Sequence, residues 1–161
     1  MPRCSTCHRR LAIGRECPTH GGSAAPGPRP GVPPAWTQPV GACIGSGGFA
    51  SVWVIPSGVL KVAHADHDLA RARMAREAEA LAAVGPPAVP RLDGHGVLDD
   101  GRAWIAMERV TGDNLGDLLT QPLQIDRALA IAVRILDALA PIHAAGFVHR
   151  DLKPDNLIRR V

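Results

Sequence analysis

The 161 residues carry a formal net charge of +3, with 46% hydrophobic and 20% charged side chains, which is enough apolar material for one buried core and too much for a wholly disordered chain. No apolar run approaches the ~20 residues of a membrane helix, and Met1-Pro2-Arg3-Cys4 begins no apolar leader, so no membrane segment or signal peptide is expected and a cytoplasmic setting is. The positive charge belongs to the first 40 residues, with five Arg and one Glu, whereas residues 41–161 hold 13 basic and 14 acidic side chains; a body that grips nucleic acid through a basic face is not expected.

Residues 1–21 contain Cys4, Cys7, Cys17 and His20, spaced C-x2-C-x9-C-x2-H. Two short pairs of thiolate and imidazole ligands suit tetrahedral Zn²⁺. A segment this short has no core of its own, so a metal would supply its folding energy. A disulfide, a redox pair, an unstructured tail and, through Cys4-Ser5-Thr6-Cys7-His8, a c-type haem attachment are the other readings. Residues 22–39 hold Pro26, Pro28, Pro30, Pro33, Pro34 and Pro39 and read as a linker with no packed core.

From residue 40 the pattern changes to that of a folded body. Residues 40–44 and 50–55 read as strands around a glycine-rich turn, and 59–63 as a third strand after Pro56-Ser57-Gly58. Asp66 or Asp68 can cap a helix that runs to residue 84 and stops at Gly85-Pro86-Pro87. Residues 91–98 and 102–108 form a hairpin around Asp99-Asp100-Gly101, and 114–119 a short helix. A longer helix covers 124–145, with Ile125, Ala128, Leu129, Ala132, Ile135, Leu136, Leu139 and Ile142 on one stripe. Strands first and helices second make an α+β chain.

Four features point to chemistry. Gly45-Ser46-Gly47-Gly48 lets backbone N–H groups approach a phosphate chain, although an ordinary glycine-rich hairpin reads the same way. Lys61 interrupts an apolar strand, Val59-Leu60-Lys61-Val62-Ala63, and is one of only two lysines among 18 basic residues. Its ammonium either faces an anion or snorkels to water. Glu77 shares the apolar face of its helix with Met74, Ala78 and Leu81, where a carboxylate wants a cation, while Glu79 points to solvent. Finally, His149-Arg150-Asp151-Leu152-Lys153-Pro154-Asp155-Asn156 crowds Asp151, Lys153 and Asn156 into one loop, and Pro154 keeps that loop from continuing the helix. An Asp can orient or deprotonate a hydroxyl, a Lys can neutralise a phosphoryl group, and an Asn oxygen can bind Mg²⁺.

Residues 40–161, through the loop at 45–52, Lys61, Glu77, Met107-Glu108-Arg109-Val110 and the 149–156 loop, resemble the eukaryotic-type protein kinases found as bacterial serine/threonine kinases. The resemblance implies an N-lobe at about 40–110, a five-stranded antiparallel sheet plus one helix, and the start of a helical C-lobe at about 111–161. It implies ATP and Mg²⁺ as cofactors and a protein Ser/Thr hydroxyl as acceptor. Gly45, Ser46, Gly47, Gly48 and Val52 would cover the nucleotide. Lys61 would hold its α- and β-phosphates and pair with Glu77. Met107 would back the adenine pocket, and the backbone of Glu108 and Val110 would bind the base. Asp151 would act on the substrate hydroxyl, Lys153 would meet the γ-phosphate, and Asn156 would bind Mg²⁺. His149 and Arg150 would hold the loop.

The chain departs from that family in three places. Ala50 replaces the third loop glycine, Val59 stands where a smaller Ala usually touches adenine, and the Asp-Phe-Gly segment, activation loop and helical substrate-binding half are not in the sequence. The stripe of helix 124–145 is therefore expected to lack part of its cover, and residues 1–161 alone are expected to be inactive. Two other functions stay open: a catalytically inactive nucleotide-binding or interaction fragment, and a zinc-dependent docking unit carried on the linker.

Overall fold

Short apolar runs bounded by turn residues build the first half of the chain into a sheet. The computed structural model describes residues 16, 18, 19, 21, 36–64, 68–119 and 121–160. β1 (Cys43–Ser46), β2 (Ala50–Ile55) and β3 (Gly58–Ala63) run as an antiparallel meander; β4 (Leu92–Val97) and β5 (Ala103–Met107) complete a five-stranded sheet in the order β1-β2-β3-β5-β4. α1 (Asp68–Val84) lies between β3 and β4 in sequence and presents Ala70, Met74, Ala78 and Leu81 to the sheet. Asp66, the other residue able to cap this helix, lies outside the described residues.

Both faces of the sheet are covered, so β2 and β3 are buried almost throughout. Ala63, Ala103 and Ile105 meet α1 on one face. Trp53, Ile55, Leu60, Val62 and Ala106 form a second cluster on the other. Leu60, Met74 and Ile105 are at most 2% exposed, and each such side chain contributes about 1.5–3 kcal/mol relative to leaving it in water. Trp36, assigned by sequence to the linker, packs on this second face with its ring edge-on to Trp104 at 4.5 Å. The linker reading is corrected there: an indole offers a large apolar surface even among prolines.

The first strand also extends beyond the residues 40–44 expected from the sequence. The N–H of Gly41 donates to the Val54 carbonyl, and Val54 donates to Ala42, so pairing begins near residue 41; a bulge between Cys43 and Gly45 then shifts the register and carries the strand on to Ser46. Gly58 has φ 153°, and a Cβ there would strike the Met107 carbonyl, so this glycine lets the β2–β3 turn close onto the end of β5.

The second half is helical with one small sheet that no alternation announces. β6 (Gly112–Asn114) leads into α2 (Leu115–Leu118), then α3 (Ile125–Ala144), a 3₁₀ turn (Pro154–Asn156) and β7 (Ile158–Arg160). β6 and β7 pair antiparallel, Gly112 with Arg160 and Asn114 with Ile158. Asn114 thus ends a strand and caps α2, its Oδ1 accepting from the Gly116 N–H at 2.7 Å. The α3 stripe stays largely open: Ile125, Leu129 and Leu136 are 73%, 59% and 64% exposed, and Ile142 is its one buried member.

Candidate active site

β3 delivers Lys61 to the face that α1 covers, because it lies two residues from Ala63, a member of the α1-facing cluster. Pairing with Val52 on one side and Ile105 on the other fixes its backbone in mid-sheet. From α1, Glu77 meets it on the apolar face, next to Ala78. Lys61 Nζ donates to Glu77 Oε1 and Oε2 at 2.6 Å each. The two side chains are 24% and 38% exposed, so the pair is partly shielded and its third ammonium proton remains to be given away.

The glycine-rich turn closes the β1–β2 hairpin opposite this strand. Gly47 N–H donates to the Ala50 carbonyl at 3.0 Å. Neither Gly45 nor Gly47 has a positive φ, and a Cβ on either would meet only ordinary van der Waals neighbours, at 3.8 Å or more. Backbone geometry therefore does not demand glycine at these two positions. What the missing Cβ atoms leave is a clear approach to the main chain, which suits a polyphosphate. Ala50 likewise keeps a negative φ, so its methyl group replaces the third loop glycine without backbone strain.

Beyond β5 the chain crosses to the helical half through residues 108–111. Glu108 donates its N–H to the Arg91 carbonyl at 2.9 Å, so its carbonyl is the backbone group left for a base. Its carboxylate turns away from that role. Oε2 accepts from the Arg91 N–H at 3.1 Å, and Oε1 accepts from Arg160 Nη1 at 2.9 Å. These donors, the Arg91 amide first, hold the Glu108 carboxyl below the usual glutamate range. Met107 packs against the α1 cluster, opposite Val59 in the register.

The loop after α3 gathers its polar groups around Asp151. Lys153 Nζ donates to Asp151 Oδ2 at 3.0 Å and Oδ1 at 3.3 Å. Asn156 Nδ2 donates to the Asp151 carbonyl at 2.8 Å and to its Oδ2 at 2.9 Å. With its amide hydrogens committed, Asn156 keeps Oδ1 as one oxygen ligand for a hard cation. Among the described residues no group of three or more His, Cys, Asp and Glu side chains could hold a metal ion. Arg150, next to Asp151, has φ 61°, the one non-glycine residue with positive φ among those described. Strain of this kind costs about 1–3 kcal/mol and persists where the surroundings enforce it. His149 accepts the Asp151 N–H through its carbonyl at 2.8 Å.

Hydrogen bonds from Lys153, then from Asn156, hold the Asp151 carboxyl below the usual aspartate range. The sign follows: these bonds favour the folded loop above the ordinary carboxylate range and are lost as pH falls through the lowered value. Lys153→Met is expected to raise the Asp151 value toward an ordinary aspartate, read by a carboxyl ¹³C titration; an unchanged midpoint would contradict this origin of the shift.

Sequence reading missed three supports of this loop. Asn114 Nδ2 donates to the Asp155 carbonyl at 2.6 Å, and Leu115 N–H to Leu157 at 2.8 Å, so β6 and α2 fasten it from the side. Arg160 joins it to Glu108. An Asn before a short helix is a capping signal; nothing in the sequence signals Arg160. Cys4, Cys7, Cys17 and His20 lie outside the described residues.

A protein kinase domain model matches residues 40–160. Serine/threonine-protein kinase pkn2 of Myxococcus xanthus is 42% identical over 126 residues, covering 71% of this chain and 15% of that protein. Pkn3 of the same organism is 34% identical over 135 residues, covering 77% and 25%. Among solved structures, the Mycobacterium tuberculosis PknI kinase domain superposes with a TM-score of 0.62 at 29% identity, covering 81% of this chain and 57% of that one. Rad53 1–466 in complex with AMP-PNP gives 0.57 at 29% identity, covering 73% and 33%. The chain thus spans a quarter or less of these two curated relatives and little more than half of the PknI domain.

Proposed function

This chain belongs to the protein kinase family, and we propose that it carries the nucleotide-binding and catalytic-loop portion of an ATP-dependent serine/threonine kinase. The observation that supports this most is the Lys61–Glu77 pair, with both carboxylate oxygens 2.6 Å from Nζ, set across from a loop whose first two glycines serve no backbone need.

When bound, Mg²⁺ and ATP supply the phosphoryl group and much of the charge neutralisation. The residues of this chain do the rest. Gly45, Gly47 and Gly48 cover the phosphates, Ser46 and Val52 complete the cover over the nucleotide, and Lys61, held by Glu77, contributes a fixed positive charge at the α- and β-phosphates. Met107 backs the adenine pocket; the Glu108 carbonyl and the Val110 N–H hold the base. Asp151, kept ionised by its neighbours, orients the acceptor hydroxyl or takes its proton. Lys153 faces the γ-phosphate, and Asn156 supplies one Mg²⁺ ligand. The Lys two residues after Asp151 favours Ser and Thr over Tyr as acceptor. Incubated with radiolabelled ATP and a mixed protein substrate, the full-length gene product should yield phosphoserine and phosphothreonine; phosphotyrosine alone, or no transfer, would overturn the assignment.

We infer a second site at Cys4, Cys7, Cys17 and His20, a structural Zn²⁺ module tethered by residues 22–39. Its support is the spacing of the ligands. Among the described residues no helix is long and apolar enough to cross a membrane. A cytoplasmic setting, where MgATP is present and thiols stay reduced, suits both sites. Purified chain should contain one zinc, lost in Cys17→Ser with ATP binding retained. A zinc content that ignores this substitution would remove the module.

A further inference from the structure

The glycine-rich hairpin is fastened at its feet by side chains that phosphate binding does not itself call for. Ser51 is the one buried polar side chain among the described residues, at 2% exposure. Its Oγ lies 2.8 Å from His64 Nε2 and 3.2 Å from Ser46 Oγ. A hydroxyl donates once and accepts as well, so Ser51 can serve both partners together. Ser46 and Ser51 face each other in the β1–β2 register, at the two feet of the turn. His64 follows β3, the strand of Lys61, and its own N–H donates to the Phe49 carbonyl at 2.9 Å. One residue therefore holds the outgoing arm of the loop at two points and, through Ser51, the incoming arm at a third. Arg73 on α1, one helical turn before Glu77, adds its guanidinium over the Phe49 ring at 5.1 Å.

A loop of unstrained glycines is costly to order. Ties that order it beforehand reduce what a ligand must spend on ordering it. A buried hydroxyl also keeps its partners, because leaving it unmatched is unfavourable. We propose that Ser51 and His64 are positioning residues that hold the glycine-rich loop over the Lys61 strand in a phosphate-ready arrangement before nucleotide arrives. This rests on reading the loop as a nucleotide site.

The test uses the 161-residue chain and its variants Ser51→Ala, His64→Leu and His64→Gln, the last able to place an amide near the position of Nε2. Affinities for MgATP and for adenosine are measured by calorimetry, and amide hydrogen exchange across residues 45–50 is followed without ligand. Ser51→Ala and His64→Leu should weaken MgATP roughly five- to tenfold, as loss of one hydrogen bond allows, with adenosine affected less than about twofold. His64→Gln should recover most of the loss, and exchange at 45–50 should quicken in the first two variants. Equal losses for MgATP and adenosine, or lower thermal stability with the MgATP preference and loop exchange unchanged, would reduce the pair to core packing and overturn the proposal. If the parent chain shows no preference for MgATP over adenosine, the nucleotide reading fails by itself. Exchange then decides whether the tie exists, and an unchanged rate in Ser51→Ala removes it.

Discussion

Lys61→Met in the full-length gene product should lower phosphoryl transfer by about 10²–10³-fold, the usual effect of losing one preorganised electrostatic donor. The side chain has nowhere else to come from: β3 is central in the sheet, and pairing with Val52 and Ile105 leaves its backbone no room to shift. Met keeps the length and the apolar stem but removes the charge. It also leaves the Glu77 carboxylate without its cation on the apolar side of α1, which loosens the setting of that helix. Lys61→Arg should recover little, because a planar fork does not replace a compact ammonium held by both oxygens of one carboxylate. Steady-state kinetics check this. A fall mainly in kcat, with a modest change in KM for ATP, fits an interaction strongest in the transition state. Transfer within threefold of the parent would remove Lys61 from the site.

Asp151→Asn should cost about 10²–10⁴-fold in the same assay, the range of a positioned general base. The substitution preserves size and lets Asn156 go on donating to the residue 151 carbonyl, whose bond is 2.8 Å in the parent. It removes the negative charge that draws Lys153 in and leaves an amide that cannot take a proton. Circular dichroism and thermal stability should therefore change little while transfer collapses. The Asp151 side chain is 69% exposed, so this is a loss of chemistry and not of folding energy. Unchanged turnover in Asp151→Asn would mean that another group serves the hydroxyl.

How far the sequence foretells the molecule depends on the range of the interactions concerned. Strands 50–55 and 59–63, the helix to residue 84 and the hairpin at 99–101 follow from short apolar runs, an amphipathic stripe and turn residues. All of these act over a few positions and emerge in the fold. Lys61 and Glu77 stand out for the same reason: each breaks an otherwise apolar pattern, and two breaks of opposite charge suggest each other. β6 and β7 leave no such trace. Gly-Asp-Asn and Ile-Arg-Arg do not alternate, and their pairing joins Gly112 to Arg160 across the whole of α3. It depends on Gly112, whose φ of 145° and lack of a Cβ let the Arg159 carbonyl approach. Trp36 was hidden among prolines, and its place on Trp104 exists only once the sheet has formed. The Glu108–Arg160 pair and the positive φ of Arg150 are tertiary outcomes of the same kind.

Titration of ¹⁵N-labelled residues 1–161 with MgATP tests most directly whether these elements make one nucleotide site. Saturable shifts should appear together at the amides of 45–52, at Lys61 and around 108–110, and Lys61→Met should weaken them. No saturable shift, or shifts confined to other parts of the chain, would contradict a nucleotide site built from the glycine-rich loop, Lys61 and Glu108.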